Sequence, residues 1–246
     1  MSAVGRPPAV VALAGLEPLG RAGLLADVEA IRELGARPVG IATALTAQGR
    51  RRFAVSPAPA ALVALQLQIA QREVRPRALK LGMVPDRAVL WAISRAADRS
   101  VPWVIDPVVR SSRGGALSKL SPRDYRLLAA PNAILTPNLV ELAWLTGRDA
   151  LAGEAELLDA MRELRGWGFG AVLAKGGHAR GGALDLLLAG SGLHRFPASR
   201  MRRLGARGTG CRLASALAAC LARGLPLEVA AARAKAYVRR YLRASA

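Results

Sequence analysis

Short uninterrupted apolar runs alternate along this chain with longer stretches in which apolar residues recur every three or four positions. The short runs at residues 9–14, 39–45, 78–83, 103–105, 133–135 and 171–174 predict strands. The longer periodic stretches at 22–34, 59–72, 87–97, 139–145, 154–165, 211–223 and 227–242 predict helices, the first stopped by Gly35. Ser121-Pro122-Arg123-Asp124 reads as one more helix start, with Ser121 and Asp124 as the halves of a capping box. Residues 184–189 and 193–196 predict a hairpin around Gly190-Ser191-Gly192. Apolar strands alternating with helices imply an α/β fold whose parallel sheet is covered on both faces. Without a linker, repeat or low-complexity tract, residues 1–246 are expected to form one domain.

Composition adds little to this picture and removes several alternatives. With 52% hydrophobic but only 4% aromatic residues, the core must be filled by Leu, Val, Ile and Ala. The formal charge of +19 invites a nucleic-acid reading. The excess, however, is arginine scattered over most of the chain, including Arg50-Arg51-Arg52, Arg202-Arg203 and Arg239-Arg240. It lacks interleaved aromatics and any zinc-finger or basic-zipper pattern, so solvated helix faces are expected and no nucleic-acid partner. The two cysteines, Cys211 and Cys220, suit neither a disulfide framework nor a metal pair, and they fit a reducing cytoplasm. No apolar run is long enough to span a bilayer, and no membrane association is expected.

The polar signatures fall where predicted strands end, the side on which α/β sheets collect ligands. The segment Gly208-Thr209-Gly210-Cys211 opens an Ala-rich helix. Its free N–H groups and helix dipole form an anion site, and a thiol in the first turn can be acidified there. The alternative is a tight turn with a structural cysteine. Asn138 and Glu141 read as an N-cap with its matching third residue, or as oxygen groups orienting a hydrated Mg2+. Asp106 ends a strand, as a solvated turn residue or a carboxylate facing a site. Lys175-Gly176-Gly177-His178 ends another, and Lys175 could pair with nucleotide phosphates or lie in an ordinary turn. His178 alone carries no catalytic role, and His194 reads as a surface residue. No Walker loop and no Rossmann glycine fingerprint is present.

Taken in order, Ala22-Gly23-Leu24-Leu25-Ala26-Asp27, Thr43–Gln48, Lys80-Leu81-Gly82-Met83, Asp106-Pro107-Val108, Thr136–Glu141, Lys175–His178, Asp185-Leu186-Leu187 and Gly208–Cys211 form a recognisable series. The series resembles the hydroxymethylpyrimidine/phosphomethylpyrimidine kinases of thiamine biosynthesis, in the ribokinase-like superfamily, from about Val10 to the last helix. The resemblance implies a three-layer α/β/α sandwich with a mostly parallel central sheet, usually a homodimer. It also implies ATP- and Mg2+-dependent phosphorylation of 4-amino-5-hydroxymethyl-2-methylpyrimidine and of its monophosphate. By matching position, Gly15, Asp27, Gln48, Met83 and Val108 would line the pyrimidine pocket, with Asp27 and Gln48 reading the ring nitrogens and amino group. Cys211 would stand where related sugar kinases carry an aspartate base, and Gly208, Thr209 and Gly210 would hold the transferring phosphoryl group. Asp106, Asn138 and Glu141 would serve metal and phosphates, largely through water, and Lys175 the nucleotide.

The chain departs from the family pattern near the substrate. In the first loop the usual G-S-D-x-S-G-G-A-G-x-Q-A-D is Gly15-Leu16-Glu17-Pro18-Leu19-Gly20-Arg21-Ala22-Gly23-Leu24-Leu25-Ala26-Asp27. Arg207 stands where a His is usual and Arg212 where a small hydroxyl residue is usual. These departures leave three readings: a working kinase whose added arginines grip a substrate phosphate bidentately, a binding or regulatory paralogue, or a pyridoxal-type vitamin kinase.

Overall fold

A computed structural model describes residues 6–49, 52–110, 115–176, 184–197 and 207–244. Among these, nine strands form one sheet in the order β3-β2-β1-β4-β5-β6-β7-β8-β9. The strands are β1 (Ala9–Leu16), β2 (Arg37–Gln48), β3 (Phe53–Pro57), β4 (Ala78–Leu81), β5 (Trp103–Ile105), β6 (Ala133–Leu135), β7 (Ala171–Ala174), β8 (Asp185–Ala189) and β9 (Gly192–Phe196). Six of them, from β2 to β7, run parallel, while β3, β8 and β9 join antiparallel.

Both faces are covered, which is why the parallel strands read as unbroken apolar runs. Along β1, Val11 and Leu13 face one core and Val10, Ala12 and Ala14 face the other. The first core is closed by α2 (Ala60–Val74), α3 (Arg87–Ala96), a 3₁₀ helix (Pro122–Leu128), α4 (Leu139–Leu145) and α5 (Gly153–Gly166). The second is closed by α1 (Gly23–Glu33), α6 (Thr209–Ala222) and α7 (Leu227–Ala244). Helix α6 lies between the sheet and its two neighbours, and its Ala214, Ala216, Ala218, Ala219 and Cys220 are wholly buried. Alanine suits that place because small side chains let a helix approach a sheet closely.

The expected three-layer α/β/α architecture is therefore present, with local corrections. The helix expected from Ser121 is a 3₁₀ turn, although its capping box forms, with Ser121 N–H donating to Asp124 Oδ2 over 2.8 Å. Helix α6 starts two residues before the expected Cys211. Strand β3 was not anticipated from the sequence. Four of its five positions are exposed, so no burial pattern marks it.

With β2 on one side of β1 and β4 on the other, the strand order reverses at β1, and open α/β sheets seat ligands beyond the carboxyl ends at such a point. The β1–β2 register shifts between Ala14 and Gly15, at that end of the sheet.

Candidate active site

Parallel strands bring the expected residues to one edge. Gly15 is the last but one residue of β1, Gln48 ends β2, Met83 follows β4, Asp106 follows β5, Asn138 follows β6 and Lys175 follows β7. Two groups form within this edge.

The first group is apolar. Met83 and Val108 pack with Ala44, Val55 and Leu117 in a small cluster separate from both main cores. A Cβ built on Gly15 would lie 3.0 Å from Met83 Sδ and 3.4 Å from Thr46 Cγ2, so a larger residue would press on the Met83 side chain. The Thr43 hydroxyl donates to the Met83 carbonyl over 2.6 Å and fixes its turn. Gln48 stands beside this cluster with Arg207, whose Nη2 donates to Gln48 Oε1 over 3.0 Å.

The second group is charged. Lys175 Nζ pairs with Asp106 Oδ1 at 2.5 Å and approaches Glu141 Oε2 at 3.8 Å. Asn138 and Glu141 form the capping box of α4: Asn138 N–H donates to Glu141 Oε2 over 2.8 Å, and Glu141 N–H to Asn138 Oδ1 over 2.9 Å. Burial works to neutralise Lys175, yet Asp106 and Glu141 outweigh it and hold its pKa above the ordinary lysine value. Burial pushes the Glu141 carboxyl up to about 7, against the pull of Lys175.

Gly208–Cys211 joins the two groups. Gly208 caps α6 at φ +72°, and a Cβ on it would lie 2.3 Å from the Arg21 carbonyl oxygen. Gly23 answers it from the first loop, where a Cβ would lie 2.3 Å from the Gly15 carbonyl oxygen. A Cβ on Gly210 would lie 3.2 Å from Lys175 Nζ and 3.6 Å from Asp106 Oδ2. The first backbone bond of α6 runs from Arg212 N–H to the Gly208 carbonyl, so the N–H groups of Thr209, Gly210 and Cys211 precede the helical ladder. A helix N-terminus thus meets a lysine and two carboxylates.

Cys211 does not follow the expectation of an acidified thiol. Burial pushes its pKa up to about 11, overriding nearby Lys80, while Asp27 and Asp106 add to the rise. The Gly23 backbone works the other way, against the rise. At neutral pH the side chain is a thiol.

Asp27 lies behind the pocket wall rather than on its surface. It is completely buried, its Oδ2 bound to Lys80 Nζ at 2.6 Å and its Oδ1 accepting the Ser215 hydroxyl over 2.8 Å. The sequence alone assigns no role to Lys80 or Ser215. The signal available was a lone lysine inside an apolar strand run, which demands a buried anion. Asp185 accepts Gly176 N–H over 2.9 Å while pairing with Lys235 at 3.0 Å, a role the sequence does not announce. Arg212 points away from the loop. It pairs with Glu29 at 2.7 Å, donates to the Ala26 carbonyl and stacks 4.2 Å over Tyr241. Gly177 and His178 lie outside the described residues.

The first loop keeps its shape through Glu17. Its carboxylate accepts the N–H of Leu19 and of Arg21, and it is buried despite its charge.

The donor set suits Mg2+. It offers hard oxygens from Asp106, Glu141 and Asn138, and Glu141 is a desolvated carboxylate that a cation would stabilise. No cluster of three or more His, Cys, Asp or Glu occurs among the described residues.

A three-layer sandwich with a helix N-terminus, a lysine and carboxylates gathered at its carboxyl edge is a ribokinase-like phosphotransferase. The model of the phosphomethylpyrimidine kinase family matches residues 17–246, and the chain belongs to that family. It is 38% identical over 235 residues to the hydroxymethylpyrimidine/phosphomethylpyrimidine kinase of Rhizobium meliloti (strain 1021), covering 93% of this chain and 88% of that protein. Its fold matches the phosphomethylpyrimidine kinase of Clostridium difficile 630 at a TM-score of 0.80 and 27% identity, over 96% and 99% of the two chains. It also matches the Staphylococcus aureus pyridoxal kinase in complex with pyridoxal at a TM-score of 0.85 and 26% identity, over 96% and 87%. That kinase has also been solved with AMP-PCP and with ADP.

Proposed function

We propose that the protein transfers the terminal phosphoryl group of ATP to 4-amino-5-hydroxymethyl-2-methylpyrimidine and then to its monophosphate. The observation that carries this reading is the place of Gly210 at the α6 N-terminus, where a Cβ would lie 3.2 Å from Lys175 Nζ and 3.6 Å from Asp106 Oδ2. Phosphoryl transfer asks chiefly for positioning and charge stabilisation. The N–H groups of Thr209, Gly210 and Cys211 and the Lys175 ammonium supply positive charge around the transferring group, and the Cys211 thiol orients the acceptor hydroxyl. Asp106, Asn138 and Glu141 would hold Mg2+ through water. Bound there, the ion neutralises phosphate charge. The site belongs to a cytoplasmic homodimer in this reading.

A coupled assay with both pyrimidines and with pyridoxal under saturating Mg-ATP tests the proposal. Pyrimidine turnover that Cys211→Ala nearly abolishes is expected, and no turnover of either pyrimidine sinks it. Efficient turnover of pyridoxal alone would favour a second reading, a pyridoxal kinase, which the likeness to the Staphylococcus aureus enzyme keeps in view.

A further inference from the structure

Arg207 sits between the two halves of the site and acts on one side chain that the pyrimidine reading needs. Its Nη2 donates to Gln48 Oε1 over 3.0 Å, and its own carbonyl accepts the Tyr241 hydroxyl over 3.3 Å. A guanidinium carries five donors and no acceptor, so the amide oxygen of Gln48 must face it. The amide nitrogen therefore turns the other way, toward Thr46 Oγ1 at 3.4 Å. The Thr46 hydroxyl in turn donates to the Leu16 carbonyl over 3.2 Å. Thr46 also lines the Gly15–Met83 floor, with its Cγ2 3.4 Å from a Cβ built on Gly15. The N–H side of Gln48 is thus turned to the floor of the acceptor pocket and its oxygen side to the α6 loop. Without such a partner an amide can turn over and present either end.

Resting on the function proposed above, we propose that Arg207 is a specificity-determining positioning residue that locks Gln48 as a hydrogen-bond donor toward the acceptor substrate. Gln48 then reads a lone pair, such as a pyrimidine ring nitrogen. A ligand with an N–H at that place meets donor against donor and is disfavoured. Arg212, the other arginine bordering the loop, cannot share this role because its guanidinium is held by Glu29 and the Ala26 carbonyl.

Steady-state kinetics with the hydroxymethylpyrimidine tests the idea in wild type, Arg207→Ala, Arg207→Lys, Arg207→Gln, Gln48→Ala and the Arg207→Ala/Gln48→Ala double variant. Arg207→Ala should raise KM for the pyrimidine about tenfold, the worth of one well-placed hydrogen bond to a charged group, with KM for ATP and kcat within about twofold. Arg207→Lys, still donor-only, should recover most of the loss. Arg207→Gln keeps bulk but both donates and accepts, so it should reproduce the loss. In the Gln48→Ala background, Arg207→Ala should add nothing. An equal rise in that background would overturn the proposal, because Arg207 would then touch the substrate directly. A matching rise in KM for ATP, or full activity in Arg207→Gln, would overturn it too. If the wild type turns over neither pyrimidine, the proposed function fails on its own. The same variant series is then read by calorimetric binding of the pyrimidine, where the same pattern of losses supports the role of Arg207 and its absence rejects it.

Discussion

Single ionisable groups carry the sharpest pH consequences. With the Cys211 thiol pushed up to about 11, the rate between pH 6 and 9 should show no rise from thiolate formation; a pH–kcat profile climbing with a thiol-like midpoint near 8 would contradict this. Glu141 behaves differently. Its folded-state pKa, about 7, lies above the ordinary 4.5, so the folded chain binds more protons than the unfolded chain between those values. Stability of the metal-free protein should therefore fall as pH rises from about 4.5 to 7 and stay lowered above it. Glu141→Gln keeps an acceptor for the Asn138 N–H, so it should flatten that pH dependence while weakening activity with Mg-ATP. Urea unfolding of both proteins at pH 5 and pH 8 decides it: an unchanged pH dependence in the variant would remove the argument. The same residues show why a helix start alone misleads. Position in the first turn pointed to an acidified Cys211, yet burial costs a thiolate more than the dipole returns.

Among the secondary elements, α6 makes the strongest demands. Gly208→Ala should cost about 1–3 kcal/mol from its left-handed backbone alone, and more from the carbonyl a Cβ would strike. Its kcat should drop with its melting temperature, and a fully active, equally stable variant would show that the loop has another shape. Arg212→Ala should lower stability by about 1–3 kcal/mol through lost stacking on Tyr241 and lost hydrogen bonds, with the half-exposed Glu29 pair counting for little. Its kcat/KM should stay near wild type; a large fall would restore the phosphate-gripping role expected from sequence. Arg212 is turned from the loop for a geometric reason: neighbouring helical residues point about 100° apart, so standing next to Cys211 aims Arg212 at α1 and α7. The strands, the glycine loop and the Asn138–Glu141 cap were legible because apolar runs, glycines and caps act locally. Strand β3 was not, since it is exposed and made only by pairing with β2. The pairing of Lys80 with Asp27, 53 positions apart, depends on the finished fold.

The molecule as a whole presents an apolar stripe on its outer layer. Leu62, Leu65 and Ile69 of α2 are exposed at helical spacing, with Trp91 of α3 also exposed. Such a stripe is a surface that the proposed homodimer could bury. Sedimentation should give twice the chain mass, and Leu65→Glu should shift the population toward monomer without changing the fold; a wild-type monomer at micromolar concentration would end this reading. The interlock of Gly23 with Gly15 and of Gly208 with Arg21 has a further consequence for how such a chain can drift over time. What meets at both places is main chain against main chain. Side chains next to the glycines are therefore left out of the joint itself, while the stretch between Gly15 and Gly23 is held by the Glu17 carboxylate on the N–H groups of Leu19 and Arg21. A side chain added at Gly23 or Gly208 would therefore force the two backbones apart, whereas the side chains of Leu19 and Arg21 can vary as long as Glu17 keeps its two bonds.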